Sequence, residues 1–266
     1  MILVKVGGGK TVSWEFIAKD VASLLKNEKV VIVHCASVKR DEIAKKLGSP
    51  TKTVISPSGI TSVYTDEKAL EIFIMVYSGL INKQTVATLQ RYGINAVGLS
   101  GVDGKLWQAK AKKELLIQEG EKVKLVKDNK TGRVEKINTD LINTLLKKNY
   151  VPVISAPAIS YENEIVNTDN DWAAAVTAGS LKADKLVYLF EAPGLLKNHK
   201  DESTLIKKIS KEKISDYFQY AEGRMKKKLL GVQKAFELGV SAVYWGDGRI
   251  KNPVSRALKG NGTVIE

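Results

Sequence analysis

Short apolar runs alternate with longer stretches of helical periodicity along the chain. Six runs rich in β-branched residues are predicted to be buried strands: 2–6 (ILVKV), 30–34 (VVIVH), 95–101 (NAVGLSG), 151–156 (VPVISA), 185–190 (KLVYLF) and 241–246 (SAVYWG). Apolar strands separated by helices are typical of βαβ units, which build parallel sheets covered on both faces. The pattern therefore predicts an α/β protein with a mainly parallel open sheet.

The segments between these runs predict the covering helices. Residues 13–27 and 171–181 each predict one helix, and residues 66–92 predict one long helix or two. Residues 115–137 instead alternate apolar and polar positions and are broken by EGE and DNKTG, which indicates antiparallel hairpins inserted at a sheet edge. We therefore expect a three-layer αβα sandwich in one continuous fold, with a ligand crevice at the carboxyl ends of the strands.

Composition narrows the classes of function. The net charge of +13 favours an anionic partner, but neither a zinc-finger spacing nor an RNA-binding aromatic motif is present, so nucleic acid is not expected. The longest apolar stretch, 70–81, is well short of the roughly 20 residues of a membrane span, and no secretory signal is visible. One cysteine and two histidines supply neither a disulfide nor a metal cluster. A cytoplasmic protein without membrane contact is expected.

The first predicted strand runs into a lysine and three glycines, the sequence KVGGGKT. A Walker phosphate loop would need glycine at position 4, which is Val4, and a dinucleotide fingerprint would need glycine at Val12. What remains is a strand end at which glycine backbone and the Lys5 ammonium could approach a phosphate, or a simple strand-to-helix turn.

Three further stretches follow strands or begin helices. They are NTDND (167–171), EAPGLL (191–196) and EGRMKKK (222–228). Taken singly, each has an ordinary explanation: a helix N-cap, a turn and a solvated lysine-rich helix face. Their order along the chain is more informative than any one of them.

In that order, the four stretches resemble the amino acid kinase family, over essentially the whole chain. The resemblance is closest to acetylglutamate kinases and, nearer still, to kinases of aminoadipate or glutamate attached to an amino-group carrier protein. The motifs that carry it are SPSGITSVYTDEKALEIF (56–73), NAVGLSGVDG (95–104), TGRVEKINTDLI (131–142), AEGRMKKKLL (221–230) and GDGRIKNP (246–253). The family implies an amino acid kinase fold and transfer of the γ-phosphoryl group of ATP, with Mg²⁺ carried on the ATP phosphates.

The resemblance also implies roles for individual residues. Lys5 and Lys228 would stabilise the charge of the transferring phosphoryl group, and Asp171 would orient both lysines. Residues 1–160 would bind the acceptor and form the dimer, and residues 161–266 would bind ATP. The residues implied to contact the nucleotide or its phosphates are Gly7, Gly8, Phe190, Gly194, Leu195 and Met225, and those implied to contact the acceptor are Ala36, Ser37, Val63 and Asn167.

The acceptor side departs from the family pattern. The family has His-Gly-Gly-Gly after its second strand, where this chain has His34-Cys35-Ala36-Ser37, and the subgroup has arginine at the position of Val63. Either the acceptor pocket is rebuilt, with Lys39 or Arg40 supplying the missing cation, or the acceptor site has decayed. Because Lys5, Asn167, Asp171 and Lys228 are all retained, we favour an active kinase.

The expected partner is an acidic amino-group carrier protein that bears the substrate, because a strongly cationic kinase would attract it. A homodimer formed through the helix near residues 66–77 is also implied by the resemblance. Three alternatives stay open: a kinase of free N-acetylglutamate, a kinase of a phosphate monoester, and a non-catalytic nucleotide-binding regulator.

Overall fold

The computed structural model describes residues 1–266. The strands are β1 Ile2–Val6, β2 Val30–His34, β3 Thr53–Ile55, β4 Thr61–Val63, β5 Ala96–Gly101, β6 Trp107–Lys112, β7 Leu115–Glu119, β8 Lys122–Val126, β9 Thr131–Ile137, β10 Val151–Ser160, β11 Ile165–Thr168, β12 Lys185–Phe190, β13 Lys208–Ile209, β14 Ala242–Asp247 and β15 Thr263–Ile265. The α-helices are α1 Trp14–Leu24, α2 Ser37–Lys46, α3 Glu67–Ile74, α4 Asn82–Arg91, α5 Thr139–Lys147, α6 Asn170–Ser180, α7 Arg224–Glu237 and α8 Pro253–Leu258.

The main sheet has the order β11-β9-β6-β10-β2-β1-β12-β14-β15-β13, with β5 paired to β10. Its centre, from β10 through β2, β1 and β12 to β14, is parallel throughout. All six predicted strands are present, and the predicted αβα sandwich is confirmed. The shorter strands β3, β4, β11, β13 and β15 carry too few residues to give a pattern and were not predicted.

Successive side chains of β1 point to opposite faces of the sheet and so pack into two different cores. Ile2, Val4 and Val6 pack against the layer of α1, α4 and α8, and Leu3 packs against the layer that contains α6 and α7. Because side chains alternate with a period of two, Lys5 lies on the same face as Leu3. The strand therefore buries a lysine beneath α6 and α7, in a place that the neighbouring apolar residues would otherwise fill.

The predicted helix over 66–92 is continuous but not uniform. It consists of α3, a π-helical turn over Met75–Ile81, and α4. Residues 115–137 contain one hairpin, in which β7 pairs with β8 as a separate two-stranded unit. The rest of this stretch, β9, pairs antiparallel with β6, which lies before the predicted range, at the edge of the main sheet. None of the helices combines the length and apolar character needed to cross a membrane.

Candidate active site

Two lysines from distant parts of the chain meet at one carboxylate. The Nζ atom of Lys228 lies 2.9 Å from Oδ2 of Asp171, and the Nζ atom of Lys5 forms an ion pair with Oδ1 of the same residue. The exposed fractions of Lys5, Asp171 and Lys228 are 3%, 8% and 9%. Asp171 thus holds two buried ammonium groups side by side while leaving the group of three with one net positive charge.

Helix α6 positions Asp171 in its first turn. Asp169 caps the helix by accepting hydrogen bonds from the backbone N–H groups of Asp171 and Trp172, at 2.9 Å and 3.0 Å. A carboxylate in the first turn of a helix is further stabilised by the unpaired N–H groups there. The Tyr188 hydroxyl donates to the Asp171 carbonyl oxygen at 3.0 Å, which fixes this turn against β12.

Helix α7 reaches Asp171 because α6 and α7 pack closely. At Gly231, a β-carbon would lie 3.1 Å from the Asp171 carbonyl oxygen and 3.2 Å from the Tyr188 hydroxyl. The alanines of α6, all buried, give the helix a small cross-section on the facing side. Lys228 lies about one turn before Gly231 and therefore faces Asp171 across the shortest gap between the two helices.

The charges of this centre are strongly coupled. Burial alone would lower the pKa of Lys5, but Asp171 outweighs it and raises that pKa above its ordinary value. Burial and the charge of Lys5 lower the pKa of Lys228, against the opposing effect of Asp171. Burial would raise the pKa of Asp171, but Lys228 and Lys5 hold it far below its usual range. The carboxylate is therefore ionised at every physiological pH.

The glycine loop after β1 lies against the loop after β2. At Gly8, a β-carbon would lie 2.5 Å from the Ser37 backbone nitrogen and 2.9 Å from that of Ala36, so only glycine fits. The Gly8 carbonyl oxygen accepts from the Val38 N–H at 3.3 Å. At Gly9, by contrast, a β-carbon would meet only the flexible side chain of Glu191. Gly8 is needed for the contact between the loops, a reason that the sequence motif did not reveal.

A cavity of about 560 Å³ opens beside the three charged residues, at the carboxyl ends of β1, β2 and β12. The predicted site residues that line it are Lys5, Gly7, Gly8, Ser37, Val63, Asn167, Asp171, Phe190 and Lys228. Asn167 donates from Nδ2 to the Thr65 hydroxyl at 2.9 Å, and Lys228 lies 5.5 Å from the centre of the Phe190 ring. The structure therefore brings together residues from both ends of the chain.

Four predicted site residues do not line the cavity. Ala36 is 3% exposed and its side chain is part of the core, so the acceptor contact expected of it has no support in its placement. The Leu195 side chain is 1% exposed, and its N–H donates to Thr263 at 2.8 Å. At Gly194, a β-carbon would lie 2.3 Å from the Thr263 hydroxyl, and Met225 packs against the core. The direct nucleotide contacts expected of these last three residues have no support in their placement.

The loop after β2 contributes Cys35 and Ser37 to the cavity wall. The Cys35 sulfur lies 3.2 Å from the Tyr77 hydroxyl, and Nη1 of Arg224 donates to the Ser37 hydroxyl at 3.2 Å. Burial would raise the pKa of the Cys35 thiol, but the Lys5 ammonium and the bond to Tyr77 lower it below its ordinary value. The contact between Arg224 and Ser37 joins α7 to α2 across the cavity.

Sequence reasoning did not single out Lys112 and Arg133, which line the cavity together with Lys227 of the 222–228 stretch. Lys227 forms an ion pair with Asp169 at 3.6 Å, and the Arg133 guanidinium lies 3.5 Å from the centre of the Trp172 ring. Burial lowers the pKa of Lys112, and the charges of Arg133 and Lys227 lower it further. Only the antiparallel pairing of β6 with β9 brings Lys112 and Arg133 together, and no local pattern reports that pairing.

His34 lies on the opposite face of the sheet from the lysines. Its Nε2 atom lies 3.0 Å from Nδ2 of Asn82, and its ring meets Trp14 edge to face at 6.2 Å. Burial lowers the pKa of His34 to about 4, so the ring is neutral at physiological pH. The histidine therefore has a structural role, in which its ring joins the end of β2 to the start of α4.

The sequence of this chain is similar to those of known kinases. The sequence model of the amino acid kinase family matches residues 1–244. The LysW-aminoadipate kinase of Thermus thermophilus is 46% identical, with all of both chains covered. The putative LysW-aminoadipate/LysW-glutamate kinase of Nitrosopumilus maritimus is 38% identical over all of this chain and 99% of its own.

The fold is also similar to that of solved kinase structures. Carbamate kinase from Giardia lamblia, solved bound to AMP-PNP, superposes with a TM-score of 0.67 at 15% identity, covering 99% of this chain and 98% of its own. The matching family model and the full-length relatives together settle the classification. The chain belongs to the amino acid kinase family.

Proposed function

We propose that the protein is an ATP-dependent kinase that converts a side-chain carboxylate of 2-aminoadipate or glutamate, attached to the LysW carrier protein, to an acyl phosphate. The product would serve lysine or arginine biosynthesis. Full-length identity of 46% to a LysW-aminoadipate kinase supports the substrate class. The observation that carries the proposal is the convergence of Lys5 and Lys228 on Asp171 at the wall of the cavity.

The reaction brings two anions together, and the two ammonium groups address that problem. A carboxylate oxygen of the acceptor attacks the γ-phosphorus of ATP, the bond from that phosphorus to the β,γ-bridging oxygen breaks, and ADP leaves. The acceptor carboxylate, with an ordinary pKa near 4, is already ionised, so no general base is required. The residue roles that we propose are charge stabilisation by Lys5 and Lys228 and orientation of both by Asp171.

The proposed site binds ATP with Mg²⁺ on its phosphates. The cavity offers cations and loop glycines, which suit phosphate oxygens, and no group of three or more His, Cys, Asp or Glu side chains is arranged to hold a metal ion. Asp171 is already paired with two lysines, so it is a poor ligand for a further cation. When bound, Mg²⁺ would neutralise phosphate charge and hold the phosphate chain in a defined geometry.

An acidic carrier protein suits the electrostatics of the cavity wall. Lys112, Arg133 and Lys227 lie together, with Asp169 as the nearby carboxylate, so this wall keeps an excess of positive charge. Such a surface speeds the approach of an acidic partner. The rate constant for association, measured by stopped flow across a salt series, should fall steeply as ionic strength rises, whereas a rate independent of salt would rule out steering.

A homodimer formed through the helix around 66–77 is part of the proposal. Met75 is 53% exposed on the outer face of this helix, where an apolar side chain gains by being covered in a two-fold interface. Light scattering of the purified protein would give the mass directly. A monomer at micromolar concentration would contradict the dimer without affecting the proposed chemistry.

Trapping the product tests the proposed reaction. The protein would be incubated with ATP, Mg²⁺ and hydroxylamine together with carrier-linked aminoadipate, carrier-linked glutamate or free N-acetylglutamate, because hydroxylamine converts an acyl phosphate to a hydroxamate. We expect product with a carrier-linked acceptor and none with the Lys228→Ala control. Product from free N-acetylglutamate alone would replace the proposed acceptor. ATP binding by calorimetry without turnover of any acceptor would identify a non-catalytic regulator instead.

A further inference from the structure

One buried guanidinium at the acceptor end of the cavity has no role in phosphoryl transfer. Arg40, in the first turn of α2, is 6% exposed and lines the cavity together with Val63 and Phe73. We propose that Arg40 binds the acceptor carboxylate that is not phosphorylated, the α-carboxylate of the aminoadipate or glutamate residue. This inference rests on the proposed function and identifies the group that recognises the substrate there.

The hydrogen bonds of Arg40 leave one side of its guanidinium available. Nε and Nη2 donate to Oδ1 of Asp41, at 3.0 Å and 2.7 Å, and Asp41 also accepts from the Thr51 hydroxyl at 2.6 Å. Nη1 has no partner among the groups of the protein. Buried cations are normally fully paired, and the planar guanidinium suits a carboxylate. Asp41 fixes the orientation of Arg40, and Nη1 remains for a ligand.

Contacts along the cavity wall place Arg40 away from the reacting atoms but on the same wall. Arg40 and Tyr77 line the same cavity, and the charge of Arg40 opposes the effect of burial, which raises the pKa of Tyr77. Tyr77 in turn contacts Cys35 at 3.2 Å, and Cys35 is close enough to Lys5 for the ammonium to lower the thiol pKa. The wall thus runs from Lys5 through Cys35 and Tyr77 to Arg40, which suits an acceptor with one carboxylate at each end.

Three other cations near the cavity, Lys39, Arg133 and Arg224, are unsuitable. Lys39, next to Arg40 in sequence, does not line the cavity, and its half-exposed ammonium pairs with Glu42 at 3.0 Å. Arg133 stacks on Trp172, and Arg224 is bonded to Ser37. Arg40 is therefore the cavity-lining cation that lies beside Val63. It also lines a small adjoining cavity with Val63 and Phe73, so all three border the same end of the site.

A carboxylate-binding role for Arg40 would explain why this chain can have valine at position 63, in β4, where the subgroup has arginine. Val63 offers no charge to a carboxylate, yet the cavity beside it still has a guanidinium, contributed by α2 instead of β4. An arginine at position 63 would add a second cation next to Arg40. The pocket is thus complementary to a carboxylate with Val63 present.

A double-mutant cycle between enzyme and acceptor tests this contact. The enzyme forms are the full-length wild type, Arg40→Gln, and the matched control Lys39→Gln. The acceptors are carrier-linked aminoadipate and carrier-linked 5-aminopentanoate, which keeps the reacting carboxylate and lacks only the α-carboxylate. The readouts are KM and kcat from hydroxamate formation and ATP affinity from calorimetry.

Arg40→Gln should raise KM for carrier-linked aminoadipate at least about 30-fold, the low end for truncating one partner of a buried charge-assisted pair. The kcat and the affinity for ATP should stay within about fivefold, because the contact is the same in the ground state and the transition state. KM for the 5-aminopentanoate acceptor should not change. Lys39→Gln should behave as wild type, and Arg40→Gln/Val63→Arg should recover part of the lost affinity.

The outcomes separate the inference from the proposed function. If wild type turns over neither carrier-linked acceptor, the proposed function fails. If wild type is active but Arg40→Gln leaves KM unchanged, or raises KM equally for both acceptors, Arg40 does not bind the α-carboxylate. Should Arg40→Gln fail to fold by circular dichroism, Arg40→Lys keeps the charge but loses the planar fork. It should then raise KM for the aminoadipate acceptor alone, and an equal effect on both acceptors would overturn the inference.

Discussion

Removing the carboxylate between the two lysines should produce a loss of stability that depends on pH. In Asp171→Asn, the amide replaces a carboxylate that lies 2.9 Å from Nζ of Lys228 and also pairs with Lys5. At an effective dielectric constant of about 20, the attraction across 2.9 Å is on the order of 6 kcal/mol. Much of it offsets the desolvation of the charges, so losing one partner of a buried pair typically costs about 3 to 5 kcal/mol.

The variant can escape part of this cost by releasing a proton. Burial and Lys5 already lower the pKa of Lys228 from its ordinary value of 10.5, so Lys228 is the group expected to become neutral. Releasing its proton at pH 7.5 costs about 4 kcal/mol, because each of the three pH units below 10.5 contributes about 1.4 kcal/mol. The loss of stability at pH 7.5 should therefore lie at about 3 to 4 kcal/mol.

The sign of the pH dependence follows from proton binding. In the variant, Lys228 is neutral when the protein is folded and charged when it is unfolded. Because the unfolded chain binds more protons, the free energy of unfolding rises with pH up to the pKa of Lys228 in the unfolded chain. The difference from wild type should shrink to about 2 kcal/mol at pH 9.

Urea unfolding at pH 7.5 and pH 9 measures both quantities. Asp169→Asn is the matched control, because asparagine caps a helix as well as aspartate does and Asp169 holds no buried ammonium pair. The control should lose less than about 1 kcal/mol, with a weaker dependence on pH than Asp171→Asn. A loss below about 1 kcal/mol in Asp171→Asn, or the same loss at both pH values, would refute the proposed coupling of the three charges.

Three further predictions address the lysines, the buried histidine and the glycine loop. Lys5→Ala and Lys228→Ala should each lower kcat at least about 100-fold with little change in acceptor affinity, and equal losses in kcat and affinity would contradict a role at the transition state. Wild-type stability should fall by about 2 kcal/mol between pH 7.5 and pH 5, because burial lowers the folded pKa of His34 from 6.5 to about 4 and the unfolded chain therefore binds the proton first. Urea unfolding of His34→Gln should show this dependence removed, and an unchanged dependence would assign it to other groups. Gly8→Ala would place a methyl carbon 2.5 Å from the Ser37 backbone nitrogen and should cost about 1 to 3 kcal/mol in thermal unfolding, whereas an unchanged melting temperature would show that the two loops can move apart.

Much of the site could be predicted because strand alternation and motif order are local properties. Lys5 follows Leu3 by two positions in a buried strand, so its direction can be read from the sequence. Asp171 and Lys228 each lie near the start of a helix, and the family resemblance pairs them across 57 positions. What the sequence could not give is the contact at Gly231 that sets the distance between those helices.

The placements that the sequence did not give depend on tertiary contacts. The sequence predicts Ala36 at the acceptor wall because it replaces a glycine, but the loop turns its methyl group into the core and leaves Cys35 and Ser37 at the cavity. Lys39 and Arg40 could not be separated by sequence, since one helical position decides which of two adjacent side chains faces the cavity. Leu195 follows a strand end, yet its side chain is buried in the large core cluster, which includes residues from both halves of the chain.

The claim that matters most is that both ammonium groups act on one transferring phosphoryl group. A crystal structure of the full chain with ADP, Mg²⁺, fluoroaluminate and the carrier-linked acceptor would observe this directly, because fluoroaluminate imitates the transferring group. The Nζ atoms of Lys5 and Lys228 should both lie within about 3 Å of fluoride, with Asp171 still in contact with each. Either ammonium group turned away from the fluoroaluminate would contradict it.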